Sequence, residues 1–300
     1  MQYLNLITEI FVSIDDFYQE FTKEMAKRQL CATKKKRNRA FTMSPSEVMT
    51  IMVLFHLSNF KSIKHFYLFY VREYLKAEFP RTVSYNRFTE LMQSVLFPLT
   101  IYLKTQQMGR CSGISFVDST PLRVCHNRRI HSHKTFAGIA QRGHCSVGWF
   151  FGFKLHVIIN DKGELLNFVI TQANTDDREP LVAGKMLKNI WGKLFGDKGY
   201  LSKQLFETLF VSGIHLITKI RNNMKNTLMN VNDKILLRKR ALVESVNDEL
   251  KNICQIEHSR HRSFVNFLTN LLAGLTAYTF LPKKPAIRCD FQFSNQLAIC

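Results

Sequence analysis

Three acidic positions in this chain sit where they could do chemistry. Asp118 closes the apolar run "GISFVDS", Asp197 closes "LFGD", and the segment "LRKRALVESVNDELKNI" offers Glu244, Asp248 and Glu249. Residues just past the carboxyl ends of buried strands line the ligand crevice of an open α/β sheet. If the two strands are neighbours, both aspartates meet in that crevice. Two close carboxylates repel, so one must hold a proton or both must share a cation. Mg²⁺ suits such a pair, because it prefers oxygen ligands and is typically held by one or two carboxylates together with substrate phosphate. Taken singly, each aspartate also fits a turn-initiating residue. Asp161 belongs to a hairpin turn, and Asp176 and Asp177 read as helix caps.

A third acid would have to come from the helix. At about 100° per residue, Leu237, Arg240, Glu244, Asp248 and Lys251 share one face, with Leu242, Val246, Leu250 and Ile253 opposite. From spacing alone, a solvated face with i,i+4 pairs such as Arg240–Glu244 is the better account of this pattern. If the apolar face packs on the sheet, Glu244 points away from the aspartates unless the helix lies at the sheet edge. Spacing alone leaves the choice among the three acids open.

Basic segments surround these acids. "RVCHNRRIHSHKTFAGIAQRGHC" carries Arg123, Arg128, Arg129, Lys134 and Arg142 and reads as a loop that tracks phosphates. Its Cys125, His126, His131, His133, His144 and Cys145 are zinc-capable types in a spacing that fits no finger, so no structural zinc is expected. "KKKRNR" places Lys34, Lys35, Lys36 and Arg37 in a second candidate phosphate-contacting arm. "HSRHRS" puts His258, Arg260, His261 and Arg262 just before the last helix, suited to backbone contact with DNA or to packing at the helix start.

The chain that must position these residues has 300 of them, 42 Lys+Arg against 23 Asp+Glu, for a net charge of +19. That excess points to a polyanionic partner, with nucleic acid first. With 46% apolar residues the chain can bury a sizeable core, which excludes a disordered basic protein. Seven cysteines without a C-x-x-C pair suit a reduced, intracellular protein; with nucleic acid as the partner, the expected place is cytoplasmic, associated with the nucleoid. The N-terminus has no basic leader region, and Phe267–Leu281, the longest apolar stretch, is too short to span a bilayer, so no membrane partner is expected.

The first hundred residues read as helical. Helices are expected over 1–30, from Ser44 to about Leu57, near 63–78 and near 85–104. Ser44, Pro45 and Glu47 form a capping box for the second of these. From Ser112 the pattern changes to strand, hairpin, helix, strand, helix, strand and two long helices, near 235–254 and 263–280. The hairpin turns at "NDKG", and "TDDREPLVAGKMLKNI" is the helix that follows it. The expected fold is α/β: a mixed sheet flanked by helices, preceded by an all-helical N-terminal domain. The expected division is 1–108 helical, 109–285 catalytic, and 286–300 a tail of unclear role.

"FVDSTPLRVCHNRRIHSHKTFAGIAQRGHCSVGWFFGFKLHVIIN", then "GDKGY", then an R-x₃-E-x₆-K spacing resemble insertion-sequence transposases of the DDE class, and the insertion-sequence 982 family in particular. Arg240, Glu244 and Lys251 match the signature of the wider group in register, while Leu237 stands where that signature has tyrosine. The resemblance implies an RNase H-like catalytic fold and selects Glu244 over Asp248 and Glu249. It implies that Asp118, Asp197 and Glu244 are catalytic and hold two Mg²⁺ or Mn²⁺ ions for DNA cleavage and strand transfer at terminal inverted repeats. Arg240 and Lys251 would then neutralise phosphate or position the acid. Residues 1–108 would bind DNA ends, and the protein would act as a homodimer on element and target DNA. Gly199 would let the backbone turn away from the ion, and Tyr200 would pack or touch DNA. A non-transposing nuclease of the same fold, or an inactive DNA-binding derivative, would carry the same acids.

Overall fold

The structure, a computed structural model, describes residues 2–29, 42–220, 228–257, 261–287 and 297–299. Lys34, Lys35, Lys36 and Arg37, with His258, Arg260 and most of the 286–300 tail, lie outside the described residues. In chain order the elements begin α1 (Gln2–Gln29), α2 (Pro45–Leu57), α3 (Ile63–His65), a π turn (Phe66–Val71), α4 (Arg72–Tyr74), α5 (Tyr85–Ser94) and α6 (Leu96–Gln106). They continue β1 (Ile114–Cys125), β2 (Gln141–Cys145), β3 (Gly148–Asn160), β4 (Leu165–Gln172), α7 (Glu179–Val182), β5 (Gly192–Gly196), α8 (Lys203–Val211) and β6 (Ile214–Thr218). The series closes with β7 (Leu228–Asn230), α9 (Val231–Arg238), α10 (Ala241–Asn252), α11 (Phe264–Thr279) and β8 (Leu297–Ile299).

The chain divides into two compact units, Met1–Gln107 with Leu250–Leu281, and Met108–Glu249 with Pro282–Cys300. The first is helical among its described residues. The Ser44 hydroxyl accepts from the Glu47 amide at 3.1 Å, the Glu47 carboxylate accepts from the Ser44 amide at 2.6 Å, and Pro45 follows at the first helical position. Almost every residue of α2 is buried, as are Phe267 and most of α11 from Thr269 on. A helix that is apolar all round must be covered on every side, and α11 packs on α2, α5 and α6. At Gly274 an added Cβ would lie 2.5 Å from the Ile256 side chain, so α11 takes a glycine where its neighbour comes closest. Residues 250–281 therefore cluster with the N-terminal helices rather than forming one contiguous piece with 109–249.

The second unit is built on a six-stranded sheet ordered β2-β3-β1-β5-β6, with β4 also on β3. β1 lies antiparallel to β3 from Ser115↔Asn160 to Cys125↔Phe151, so β2 and β4 follow one another along the opposite edge of β3. β5 is parallel to both β1 and β6. Four strands joined by antiparallel pairing, then two parallel ones with a helix crossing between them, fit the RNase H-like class. The β3–β4 hairpin closes at Asn160–Gly163: the Asn160 side-chain oxygen accepts from the amides of Lys162 and Glu164, and Gly163 takes φ +71°. Under the sheet, Val117, Ile158, Leu194, Tyr200, Leu205, Leu209 and Ile214 form one buried cluster.

Three elements differ from the sequence expectation. The helix expected after Thr175 is a single turn, because Gly184 and Asn189 adopt left-handed backbone (φ +66° and +62°) and break the run. Asp176 accepts from the Arg178 amide at 2.9 Å, making a local turn, and Asp177 pairs with Lys154 at 2.9 Å, so neither caps α7. The helix expected over 235–254 is two helices, α9 and α10, separated by tight turns at Lys239 and Arg240. Among the described residues no helix is long and apolar enough to cross a membrane.

Candidate active site

The parallel pairing of β1 with β5 ends at Phe116↔Phe195. Both rings are buried and stack at 5.4 Å between centroids. Asp118 lies two residues beyond Phe116 and Asp197 two beyond Phe195. Positions i and i+2 of a strand share a face, so Asp118 lies on the Phe116 face of β1, while Asp197 lies one residue past the end of β5, near enough for its charge to act on Asp118. Asp118 is not at the end of its strand, as the sequence suggested. β1 runs on antiparallel to β3 for seven more residues, and only its pairing with β5 has stopped. Pro121 falls in this stretch, where one edge of β1 is no longer tied to β5 and a missing N–H is tolerated.

The Asp118 side chain is 22% exposed. Burial pushes its carboxyl up to about 6; Arg240 pulls the other way, and the negative charges of Glu244 and Asp197 add to the rise. Those three charged groups are the site's electrostatic neighbours. Of the three acids in the helical segment, Glu244 is the one whose charge reaches Asp118. Arg240, in the break before α10, joins the two: its Nη1 lies 3.8 Å from Asp118 Oδ1, and its Nη2 donates to Glu244 Oε1. The break between α9 and α10 is what turns Arg240 inward, to 17% exposed, while Glu244 stays 56% exposed on the rim. The tension over which way Glu244 points is thus resolved through an arginine rather than by direct approach.

Sequence reasoning missed Asn247. Its amide donates to Asp118 Oδ2 at 3.0 Å, and it lies 7% exposed among Val243, Val246 and Leu250 on the inner stripe of α10. The available signal was a polar residue inside an otherwise apolar stripe, three positions after Glu244. Ile253, assigned to that stripe, is 48% exposed.

One expectation is corrected here, and for Tyr200 the structure selects one of two alternatives. Gly199 has an ordinary backbone and open space where a Cβ would sit, so no turn demands a glycine there. Of the two glycines flanking Asp197, Gly196 has the close neighbour: its added Cβ would meet the Tyr200 ring at 3.2 Å. Tyr200 itself is buried in the cluster beneath the sheet, and burial first and the Asp118 charge second hold its hydroxyl well above the usual tyrosine range. It packs and does not face outward. His261 likewise packs edge-on against Phe267, and burial lowers its pKa to about 4. Lys251 pairs with Glu257 at 3.4 Å.

The basic stretch lies in the same unit as the aspartates. No Asp or Glu occurs between Asp118 and Asp161. Arg123, Arg128, Arg129, Lys134 and Arg142 are all exposed. Arg142 approaches the His131 ring at 3.5 Å beside a pocket of about 320 Å³ walled by Trp149, Ile130 and Asn127.

The oxygen donors Asp118, Asp197 and Glu244 match a hard divalent cation in chemistry. Among the described residues no three His, Cys, Asp or Glu side chains stand close enough together to enclose an ion. Between Asp118 and Glu244 the positive charge is supplied by Arg240, which would have to swing aside for a cation to take that place.

The pattern of the transposase DDE domain matches residues 108–264, just over half of the chain. The chain belongs to that family. The transposase matches no curated protein. Among solved structures it is similar to a piggyBac transposase synaptic complex with hairpin DNA, at a TM-score of 0.45 and 11% identity, covering 92% of this chain and 70% of that one. The family consists of enzymes that act on DNA, and the matched segment contains Asp118, Asp197, Arg240, Glu244 and Asn247.

Proposed function

We propose that this transposase cleaves DNA at the terminal inverted repeats of an insertion sequence and joins the freed ends to target DNA. The observation that carries the reading is the placement of Asp118 and Asp197 each two residues past Phe116↔Phe195, the last pair between β1 and β5, with Glu244 tied to Asp118 through Arg240. Asp118, Asp197 and Glu244 would hold two Mg²⁺ or Mn²⁺ ions. When bound, these supply charge stabilisation to both the attacking and the leaving oxygen of an in-line displacement at phosphorus. Arg240 neutralises the carboxylates until then, and afterwards its guanidinium is available to a phosphate. Arg123, Arg128, Arg129, Lys134 and Arg142 hold the DNA backbone, a task suited to exposed cations on a stretch that lacks acidic residues. The N-terminal helical segment, Lys34–Arg37 and Lys251 are assigned to DNA contact, and the protein to a dimer on DNA that brings two ends together. The R-x₃-E-x₆-K spacing belongs to the wider group, and the stretch from Asp118 to Lys251 as a whole favours the insertion-sequence 982 family.

The test is a strand-transfer assay with labelled element ends, supercoiled target and Mg²⁺ or Mn²⁺. Joined products with wild type and none with Asp197→Asn support the proposal. Nicking without joining would indicate a nuclease. Products from Asp197→Asn at the wild-type rate would remove the acid from the mechanism.

A further inference from the structure

Asn247 is the one polar side chain on the inner stripe of α10 beside the acids. Its Nδ2 donates to Asp118 Oδ2 at 3.0 Å, while Arg240 approaches the other oxygen, Oδ1, at 3.8 Å. The two contacts fix the rotation of the carboxylate: Oδ2 is held by a neutral amide from the helix, and Oδ1 faces the charged side of the site. The Asn247 Oδ1 is buried and has no hydrogen-bond partner among the described residues. A buried acceptor left without a partner costs about 1–3 kcal/mol, and it is satisfied only by a donor or a cation. A hydrophobic residue would fill the stripe between Val243, Val246 and Leu250 without that cost, so packing does not explain an asparagine at this position.

We infer that Asn247 is a positioning residue of the cation site, locking Asp118 through its amide nitrogen and presenting its amide oxygen to the site. The inference rests on the proposed role of Asp118. Residues that orient a metal ligand by hydrogen bonding typically contribute about 10–100-fold to metal affinity. Loss of Asn247 should therefore weaken cation binding without removing any carboxylate.

The experiment measures Mn²⁺ binding to the full chain, without DNA, by loss of the free-ion electron paramagnetic resonance signal. Wild type, Asn247→Ala, Asn247→Asp and Asp118→Ala are compared, each with its melting temperature in EDTA. Asn247→Ala is expected to bind Mn²⁺ about 10-fold more weakly while binding terminal-repeat DNA in EDTA as wild type does. Asn247→Asp keeps the shape but sets a carboxylate against Asp118. Its melting temperature should fall in EDTA and recover with Mn²⁺ by more than that of wild type, which also serves if the alanine variant fails to fold. Wild-type Mn²⁺ affinity in Asn247→Ala, or no Mn²⁺-dependent recovery in Asn247→Asp, overturns the inference. The two failures are distinguishable. Asp118→Ala binding Mn²⁺ as wild type does would overturn the acid site itself, whereas loss in Asp118→Ala with none in Asn247→Ala overturns the role of Asn247 alone.

Discussion

Replacing Asp118 with asparagine should stabilise the catalytic unit at neutral pH relative to acid pH, while abolishing the chemistry. Burial raises the Asp118 carboxyl from the ordinary value of 3.8 to about 6. Between those values the folded chain keeps a proton that the unfolded chain has released. Stability therefore falls as pH rises through the window, and the loss is complete above the folded value. A rise of that size is worth about 3 kcal/mol at neutral pH, and about 2 kcal/mol of that accrues between pH 4 and pH 7. Asparagine does not titrate. Whatever constant cost the substituted amide carries against Arg240 and Asn247, the difference between Asp118→Asn and wild type should grow by about 2 kcal/mol in favour of the variant from pH 4 to pH 7. For a unit of this size that corresponds to about 4–8 °C in melting temperature. Thermal melts of both proteins in EDTA at pH 4, 5, 6, 7 and 8 measure it. A difference that is flat with pH, or that shrinks, would refute the claim that burial dominates the environment of Asp118.

Other outcomes follow from the same contacts. Arg240→Ala leaves Asp118 and Glu244 without their shared cation and should cost about 2 kcal/mol in EDTA, with millimolar Mn²⁺ restoring more of the melting temperature than it adds to wild type. Gly274→Val drives a side chain into Ile256 and should destabilise the helical unit by about 1–3 kcal/mol in urea titration. Arg128→Ala with Arg129→Ala should weaken binding to all DNA sequences alike and reduce the slope of log affinity against log salt by about 2, measured by fluorescence anisotropy.

What could be read in the sequence was what local chemistry decides. Ser44, Pro45 and Glu47 announce α2 because both capping hydrogen bonds close within one turn and Pro45 suits its first position. Asn160 to Gly163 announces the hairpin because the Asn160 side chain satisfies its own turn. The aspartate after "LFG" reads as a strand-end carboxylate because β5 is short, buried and bounded by glycines. Asp118 was placed correctly relative to β5 but not within β1, since nothing in the run itself shows that one edge loses its partner while the other keeps it. The Lys239–Arg240 break was hidden because every residue there is a good helix former, and the partner that Arg240 meets once turned inward, Asp118, is remote in sequence. Asn247 was read past for the same reason: its partner lies 129 residues away. The grouping of α11 with the N-terminal helices is likewise invisible to spacing, because an all-round apolar helix states that it must be covered but not by what.

The central claim is that Asp118, Asp197 and Glu244 act as one site on DNA phosphates. It is tested most directly by Mg²⁺- or Mn²⁺-dependent cleavage of the element's own terminal inverted repeats, with wild type and single alanine variants of the three acids side by side. The account predicts metal-dependent nicking at the repeat end by wild type, and loss of at least about 100-fold in rate for each variant, while each still binds the repeat in EDTA. Cleavage at the wild-type rate by any one of the three variants would contradict it.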